Sequence, residues 1–317
     1  MSDEIKDFLV GDSPCIQGLR QTAIKAGQND ATLLILGESG VGKEVLARAV
    51  HMVSQRSEEP FIAINCAALP EHLIESELFG YEEGAFTGAR KGGKPGKLEQ
   101  SRSGSLLLDE IAELPLRTQA KLLRVLQERE FERVGGTTAI RLSARIMVAT
   151  NKDLKKLVYE GKFRTDLFYR LNVISVTVPT LSYRKDDIPL LVDHFLLKLS
   201  AEKKLPMKLI SGEALSLLFA YEWPGNVREL KNVIERAVYA ADGNVIQAQH
   251  LPDYIQQLNG VRRTVQLTPM KKAVRDLEKD LILKALKETS NNKVDAANML
   301  GMPRATFYLK LKEYNIH

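Results

Sequence analysis

Cysteine is nearly absent from this sequence: Cys15 and Cys66 are its only two, too few for a disulfide framework or a four-thiolate zinc site. Both read as buried, unreactive thiols, and a reducing cytosol is the expected compartment. Long hydrophobic runs are lacking too. The longest, such as Leu33 to Leu36 and Leu106 to Leu108, fall far short of the roughly 20 residues that a membrane helix needs, and no apolar segment follows Met1. Membrane spans and secretion are not expected. Glycine and proline, at 21 and 12 among 317 residues, are too sparse for a low-complexity chain. With 44% hydrophobic and 27% charged residues, the sequence instead has enough apolar content for two or three folded domains.

Net charge is small, +5 over the whole chain, but it is unevenly placed. Residues 261–317 hold 12 Lys plus Arg against 6 Asp plus Glu, a net +6, and residues 1–260 hold 33 against 34, a net −1. A short basic end on a near-neutral body is the distribution of an appended nucleic-acid-binding module, although a solvated charged helix face would give the same count.

Short apolar runs recur at Thr32 to Leu36, Pro60 to Ile64, Ser105 to Leu108, Arg145 to Ala149 and Val173 to Val178. Helical spacing fills intervals such as Glu44 to Val50 and Leu116 to Glu128. This alternation predicts an α/β fold, with a mainly parallel sheet covered by helices on both faces. After Pro179 only helical patterns follow, over Pro189 to Glu202, Ser211 to Phe219 and Asn226 to Ala241. Asn259, Gly260 and the polar stretch to Pro269 read as a linker ahead of an amphipathic helix, Lys271 to Glu288, and two shorter helices. The divisions expected are 9–180 for the α/β part, 181–258 for a helical part, 259–270 for the linker and 271–317 for a terminal all-α module.

Between the first predicted strand and its helix lie Gly37, Glu38, Ser39, Gly40, Val41, Gly42, Lys43 and Glu44, with the spacing of a P-loop. Glycines let the backbone wrap phosphates, the helix N-terminus holds negative charge, and Lys43 reaches the terminal phosphates of ATP. The hydroxyl that usually binds Mg²⁺ after the lysine is replaced by Glu44. A later apolar strand ends in Asp109 and Glu110. Asp109 is placed to hold Mg²⁺ through water, and Glu110 to orient and deprotonate the attacking water. Together the two motifs specify an ATPase with ATP and Mg²⁺ as its nucleotide and metal.

At this point the sequence resembles a family, the AAA+ activators of sigma-54-dependent RNA polymerase, also called bacterial enhancer-binding proteins. The resemblance extends from about Leu9 over essentially the whole chain. Its most specific motif is Gly84, Ala85, Phe86, Thr87, Gly88 and Ala89, preceded by Glu77-Leu-Phe-Gly80 and similar to the family's loop for touching the sigma factor. Composition alone reads this loop as a mobile tip presenting Phe86, or as a tight turn with that ring buried. By resemblance, Asn65 holds the catalytic glutamate until ATP is sensed; read by itself it is equally a turn residue at a strand end. Thr150 and Asn151 are the first sensor of the γ-phosphate, and Arg228 in Gly225-Asn-Val-Arg-Glu-Leu230 is the second, carried by the helical lid. Arg164 and Arg170 fall in the segment that donates arginine fingers to a neighbouring subunit, where a guanidinium can neutralise charge on the transferred phosphoryl. Surface salt-bridge arginines are the ordinary alternative. The family commonly has an acid where this chain has Thr165.

In the tail, Asp295 to Lys312 reads as helix, turn at Gly301, and second helix with Pro303 in its first turn. Ala296 and Ala297 allow close approach, and Leu300, Phe307 and Leu311 supply a core. Arg304, Thr306, Tyr308, Lys310 and Lys312 are left to contact double-stranded DNA. The spacing is that of a Fis-type helix-turn-helix module, with a dimerising hairpin as the alternative. Ala305 and Leu309 stand where such modules often have basic residues. The resemblance implies a cytoplasmic, ATP-driven activator that forms a ring, hexameric in the family. It would bind upstream DNA and remodel sigma-54 RNA polymerase from closed to open promoter complex. Its rivals are a DNA-tethered AAA+ machine for another protein and a passive DNA-binding repressor. The family usually has a sensor domain ahead of the ATPase; this sequence starts about ten residues before the resemblance does.

Overall fold

The computed structural model describes residues 4–86, 90–257, 270–289, 291–314 and 316. The chain divides into two compact units, residues 1–258 and 259–317. In the first, the apolar runs form β1 (Leu33–Leu36), β2 (Phe61–Asn65), β3 (Ser105–Asp109), β4 (Arg145–Thr150) and β5 (Ile174–Thr177). All pair in parallel, in the order β2-β3-β4-β1-β5.

Side chains of this sheet alternate between two cores. Leu34, Ile64, Leu106, Leu108, Ile146 and Val148 belong to one, and Leu33, Ile35, Leu107, Met147 and Ala149 to the other. Burial on both faces is why the strands read as unbroken apolar runs rather than as alternation. Helices Glu71–Phe79, Leu116–Glu128 and Thr165–Leu171 contribute to the first core, Pro14–Gly27 and Lys43–Met52 to the second. In Leu116–Glu128 the buried Gln119, Leu122, Leu123 and Leu126 recur at helical spacing, and Arg129 ends the helix with a φ of +60°. Each buried leucine contributes about 1.5–3 kcal/mol.

Beyond β5 comes the helical lid, where Ile188–Lys203, Gly212–Ala220 and Asn226–Ala240 pack around Trp223, whose indole N–H donates to the Leu218 carbonyl at 2.8 Å. Buried Asp187 fastens this lid to the N-terminal loop: its carboxylate accepts the Asp12 and Ser13 amides at 2.7 and 2.8 Å and the Ser13 hydroxyl at 2.6 Å.

Two short ribbons left no trace in the sequence pattern, Gly80–Tyr81 against Lys94–Pro95 and Glu130–Phe131 against Ile140–Arg141. Strands of two residues are too short to show alternation. Cys15 departs from expectation: it is exposed, near the start of the Pro14–Gly27 helix on a side that helix does not bury, whereas Cys66 is buried. Burial pushes the Cys66 thiol up to about 12. Among the described residues no helix is long and apolar enough to cross a membrane.

The second unit holds helices Met270–Glu288, Lys293–Met299 and Arg304–Glu313. Its core contains Ile282, Leu286, Ala296, Ala297, Phe307 and Leu311, with Leu300 packed against it. Asn292 caps the middle helix by accepting from the Val294 and Asp295 amides, and Gly301 turns the chain with a φ of +64°. Pro303, expected inside the first turn of the last helix, is its N-cap instead. Its missing N–H leaves no helical bond unmade there. The expected linker, 259–270, lies outside the described residues except for its last one.

Candidate functional site

β1 leads through Gly37 into the helix Lys43–Met52. Gly40 has a φ of +80°, and a Cβ there would stand 2.3 Å from the Gly225 carbonyl oxygen of the lid, so this position excludes any side chain. The Lys43 ammonium is held inside the loop, 6% exposed, donating to the Gly37 and Glu38 carbonyls at 3.0 and 3.3 Å. Glu44 is engaged elsewhere: Arg48 donates to its Oε1 at 2.7 Å from the next helical turn.

β2, β3, β4 and β1 end side by side, with Asn65 in register with Asp109 and Leu36 with Thr150. The carboxyl ends of parallel strands are where open α/β sheets receive ligands. Glu110 follows β3 with a φ of +52°, a left-handed conformation that costs about 1–3 kcal/mol in a non-glycine residue. Its Oε1 stands 3.4 Å from Lys43 Nζ, and its Oε2 accepts the Asn151 amide at 3.2 Å. Asp109 Oδ1 accepts the Glu110 amide at 3.0 Å. Burial, followed by the neighbouring Glu110 charge, pushes the Asp109 carboxyl above the usual carboxylate range.

The sensor candidates divide. Arg228 is at the P-loop, its Nη1 donating to Ser39 Oγ at 2.9 Å and its amide to the Gly40 carbonyl at 3.2 Å. Asn151 meets Glu110 through its backbone. Thr150 is buried, and its hydroxyl accepts the Lys152 amide at 3.1 Å. Asn65 Oδ1 accepts the Ala67 amide at 2.9 Å, capping a short 3₁₀ turn, and among the described hydrogen bonds none joins Asn65 to Glu110.

Arg164 precedes the helix Thr165–Leu171 and makes a two-pronged pair with Asp166 at 3.1 and 2.7 Å, so the acid missing at position 165 is supplied one residue later. Buried Gln119 accepts the Arg164 amide at 2.9 Å. Arg170 donates to the Leu126 carbonyl at 2.8 Å. Neither guanidinium is hydrogen-bonded to its own chain's P-loop among the described contacts. The helix buries Leu167, Phe168 and Leu171 and leaves both arginines exposed.

Ahead of the loop carrying Phe86 is the ribbon Gly80–Tyr81 with Lys94–Pro95, bridged to Val134. Arg133 holds Glu99 at 3.0 and 2.7 Å and Glu82 at 3.3 Å, tying this stalk to the second ribbon. Gly84 and Ala85 lead to Phe86, 42% exposed, with its ring tilted against Tyr81 at 4.9 Å. Thr87, Gly88 and Ala89 lie outside the described residues. No local pattern marks Arg133, Glu82 or Glu99 as parts of this stalk, because the residues Arg133 pairs with lie 34 and 51 positions away.

On the last helix, Arg304, Tyr308 and Lys312 recur every four residues and are exposed, as is Thr306. Lys310 differs from them. Its ammonium donates to Glu278 at 2.7 Å and to the Tyr314 hydroxyl at 3.2 Å, which holds its pKa above the ordinary lysine value.

Comparisons with known proteins match this geometry to families. Residues 9–177 match the sigma-54 interaction domain, 182–267 the AAA+ ATPase lid domain, and 273–314 the bacterial regulatory protein, Fis family. The chain is 48% identical over 313 residues to Regulatory protein AtoC of Escherichia coli K12, covering 97% of this chain and 68% of that protein. It is 44% identical to Transcriptional regulatory protein ZraR of Salmonella typhimurium, covering 96% and 68%. Its fold matches a crystal structure of NtrX from Brucella abortus in complex with ADP, with a TM-score of 0.73, 35% identity, and 98% and 71% of the two chains covered. A matched structure of NtrX with ATP has a TM-score of 0.71. With the P-loop, the two acids and the lid arginine assembled in one site, this chain is an AAA+ ATPase and belongs to the family of sigma-54-dependent transcription activators.

Proposed function

We propose that the protein hydrolyses ATP in a ring of its own copies, uses the movement to open sigma-54 polymerase at promoters, and is brought there by its C-terminal module. The observation that carries this reading is the separation of tasks within one fold. The acids and Lys43 gather at the strand ends, while Phe86 stands on a stalk of its own, pinned by Arg133. The nearest ring to Phe86 is that of Tyr81.

Within the site, the Lys43 ammonium and the Glu110 carboxylate stand 3.4 Å apart as an ion pair. The triphosphate of ATP offers Lys43 a stronger partner, which releases Glu110 Oε1 to accept a proton from water, while the Asn151 amide keeps Oε2 oriented. Asp109 fits a divalent cation: it is a carboxylate held above its normal pKa by burial and a like charge, a penalty that Mg²⁺ removes. Asp109 would hold the ion, which would supply Lewis-acid polarisation of the phosphoryl group. Arg164 and Arg170, exposed on one short helix, supply the charge a neighbouring copy's site lacks. Arg304, Tyr308 and Lys312 form the DNA-facing stripe, and Thr306, exposed two residues after Arg304, faces another side of the helix. Lys310 is better assigned to holding the module together.

The test is association with purified sigma-54 by size exclusion in the presence of ADP and a metal fluoride that mimics the transferring phosphoryl. Co-elution only with that mixture is expected. No association in any nucleotide state would remove sigma-54 as the partner.

A further inference from the structure

We infer that Asn226 is a positioning residue for Arg228, joining the P-loop, the entry to the lid at Leu181 and the lid helix through a single buried side-chain amide; this rests on the reading of Arg228 as the second sensor of the bound nucleotide. Asn226 is 0% exposed and opens the lid helix with a φ of +53°, a conformation that asparagine tolerates better than most residues. Its Oδ1 accepts the Leu181 amide at 2.9 Å, where the chain leaves the α/β part for the lid. Its Nδ2 donates to Glu38 Oε2 at 3.1 Å and to the Ser39 carbonyl at 3.2 Å, both in the P-loop.

The chemistry fixes which way the amide faces. An N–H from Leu181 can be met only by the oxygen, and a carboxylate and a carbonyl only by the NH₂ group. Three elements distant in sequence therefore share one planar group. Two residues further along the helix, the Arg228 amide reaches the Gly40 carbonyl and its guanidinium reaches Ser39 Oγ. Asn226 thus sets the height and rotation of the helix start from which Arg228 extends over the loop. The same amide ties the position of Glu38 and Ser39 to that of Leu181, where the chain enters the lid.

Aspartate is the discriminating substitution. Asn226→Asp keeps the acceptor for Leu181 but sets a negative oxygen against Glu38 and the Ser39 carbonyl, so it breaks only the P-loop arm. Changing Glu38→Gln in that background returns a donor to the pair. Because a buried charge can unfold the lid, Glu38→Ala provides a second approach from the loop side that leaves the lid core untouched.

The readout is the preference for triphosphate over diphosphate, the ratio of dissociation constants for ADP and ATPγS measured by calorimetry on the full chain. Arg228→Ala, Asn226→Asp and Glu38→Ala should each lower this ratio by about tenfold, the size expected from losing one charge-assisted hydrogen bond. Arg228→Ala added to either other change should lower it little further, and Glu38→Gln should restore part of it to Asn226→Asp. Additive losses, or an unchanged ratio in the two loop-arm variants, would overturn the assignment to Asn226. An unchanged ratio in Arg228→Ala alone would instead overturn the sensor reading on which it rests.

Discussion

Asp109 and Glu110 are adjacent in sequence, yet their environments set them different tasks. Glu110 is turned by its left-handed backbone toward Lys43 and the Asn151 amide, whereas Asp109 sits at the strand end with its carboxyl held above the usual range by burial and by Glu110. The sign of the linkage follows. Folding raises this group's affinity for a proton, so the nucleotide-free protein is relatively more stable at acid pH and loses stability as pH rises through the folded value. Asp109→Asn removes the penalty. It should stabilise the nucleotide-free protein at neutral pH by on the order of 1 kcal/mol at this half-exposed position, and lower ATP turnover by about 10²-fold or more. Thermal melts at two pH values and a phosphate-release assay check both. The meeting of the two acids with the P-loop was legible in the sequence because a P-loop and a strand ending in two acids are local patterns. Asn226 carried no such signal, since its hydrogen bonds reach residues 187 and 188 positions away.

At the scale of elements, the five strands and the main helices could be read from periodicity because each is continuous and buried. The stalk under Phe86 could not, being two short ribbons held by an arginine network. Phe86→Ala should keep ATP hydrolysis within a few fold and lose sigma-54 association, since the ring stands 42% exposed on the stalk against Tyr81. Parallel turnover and co-elution assays on one preparation separate the two; loss of both together would place the residue in the ATPase machinery. The tail helix carries a contrast of its own. Lys310 is committed to Glu278 and Tyr314, and Lys312 is exposed. Lys312→Ala should flatten the salt dependence of DNA binding by about one unit of slope, and Lys310→Ala should leave that slope unchanged. Titrations of the full chain at several salt concentrations decide between them.

For the whole molecule, the proposed transfer of the exposed Arg164 and Arg170 to a neighbouring copy means that one chain would not complete its own catalytic site. Activity per subunit should therefore rise with protein concentration as copies associate. Mixing Arg164→Ala with Lys43→Ala should recover part of the activity that each lacks alone, because some interfaces regain both halves. Turnover per subunit that stays constant while sizing shows monomers becoming oligomers would contradict this.

ATP hydrolysis by this chain is proposed to drive promoter opening, and transcription in vitro from a sigma-54 promoter, with sigma-54 polymerase and purified protein, measures that coupling. With ATP the protein should yield transcripts, and Glu110→Gln, which keeps Lys43 and the phosphate loop, should bind ATP and yield none. Full transcription by Glu110→Gln, or by the unaltered protein without a hydrolysable nucleotide, would contradict it.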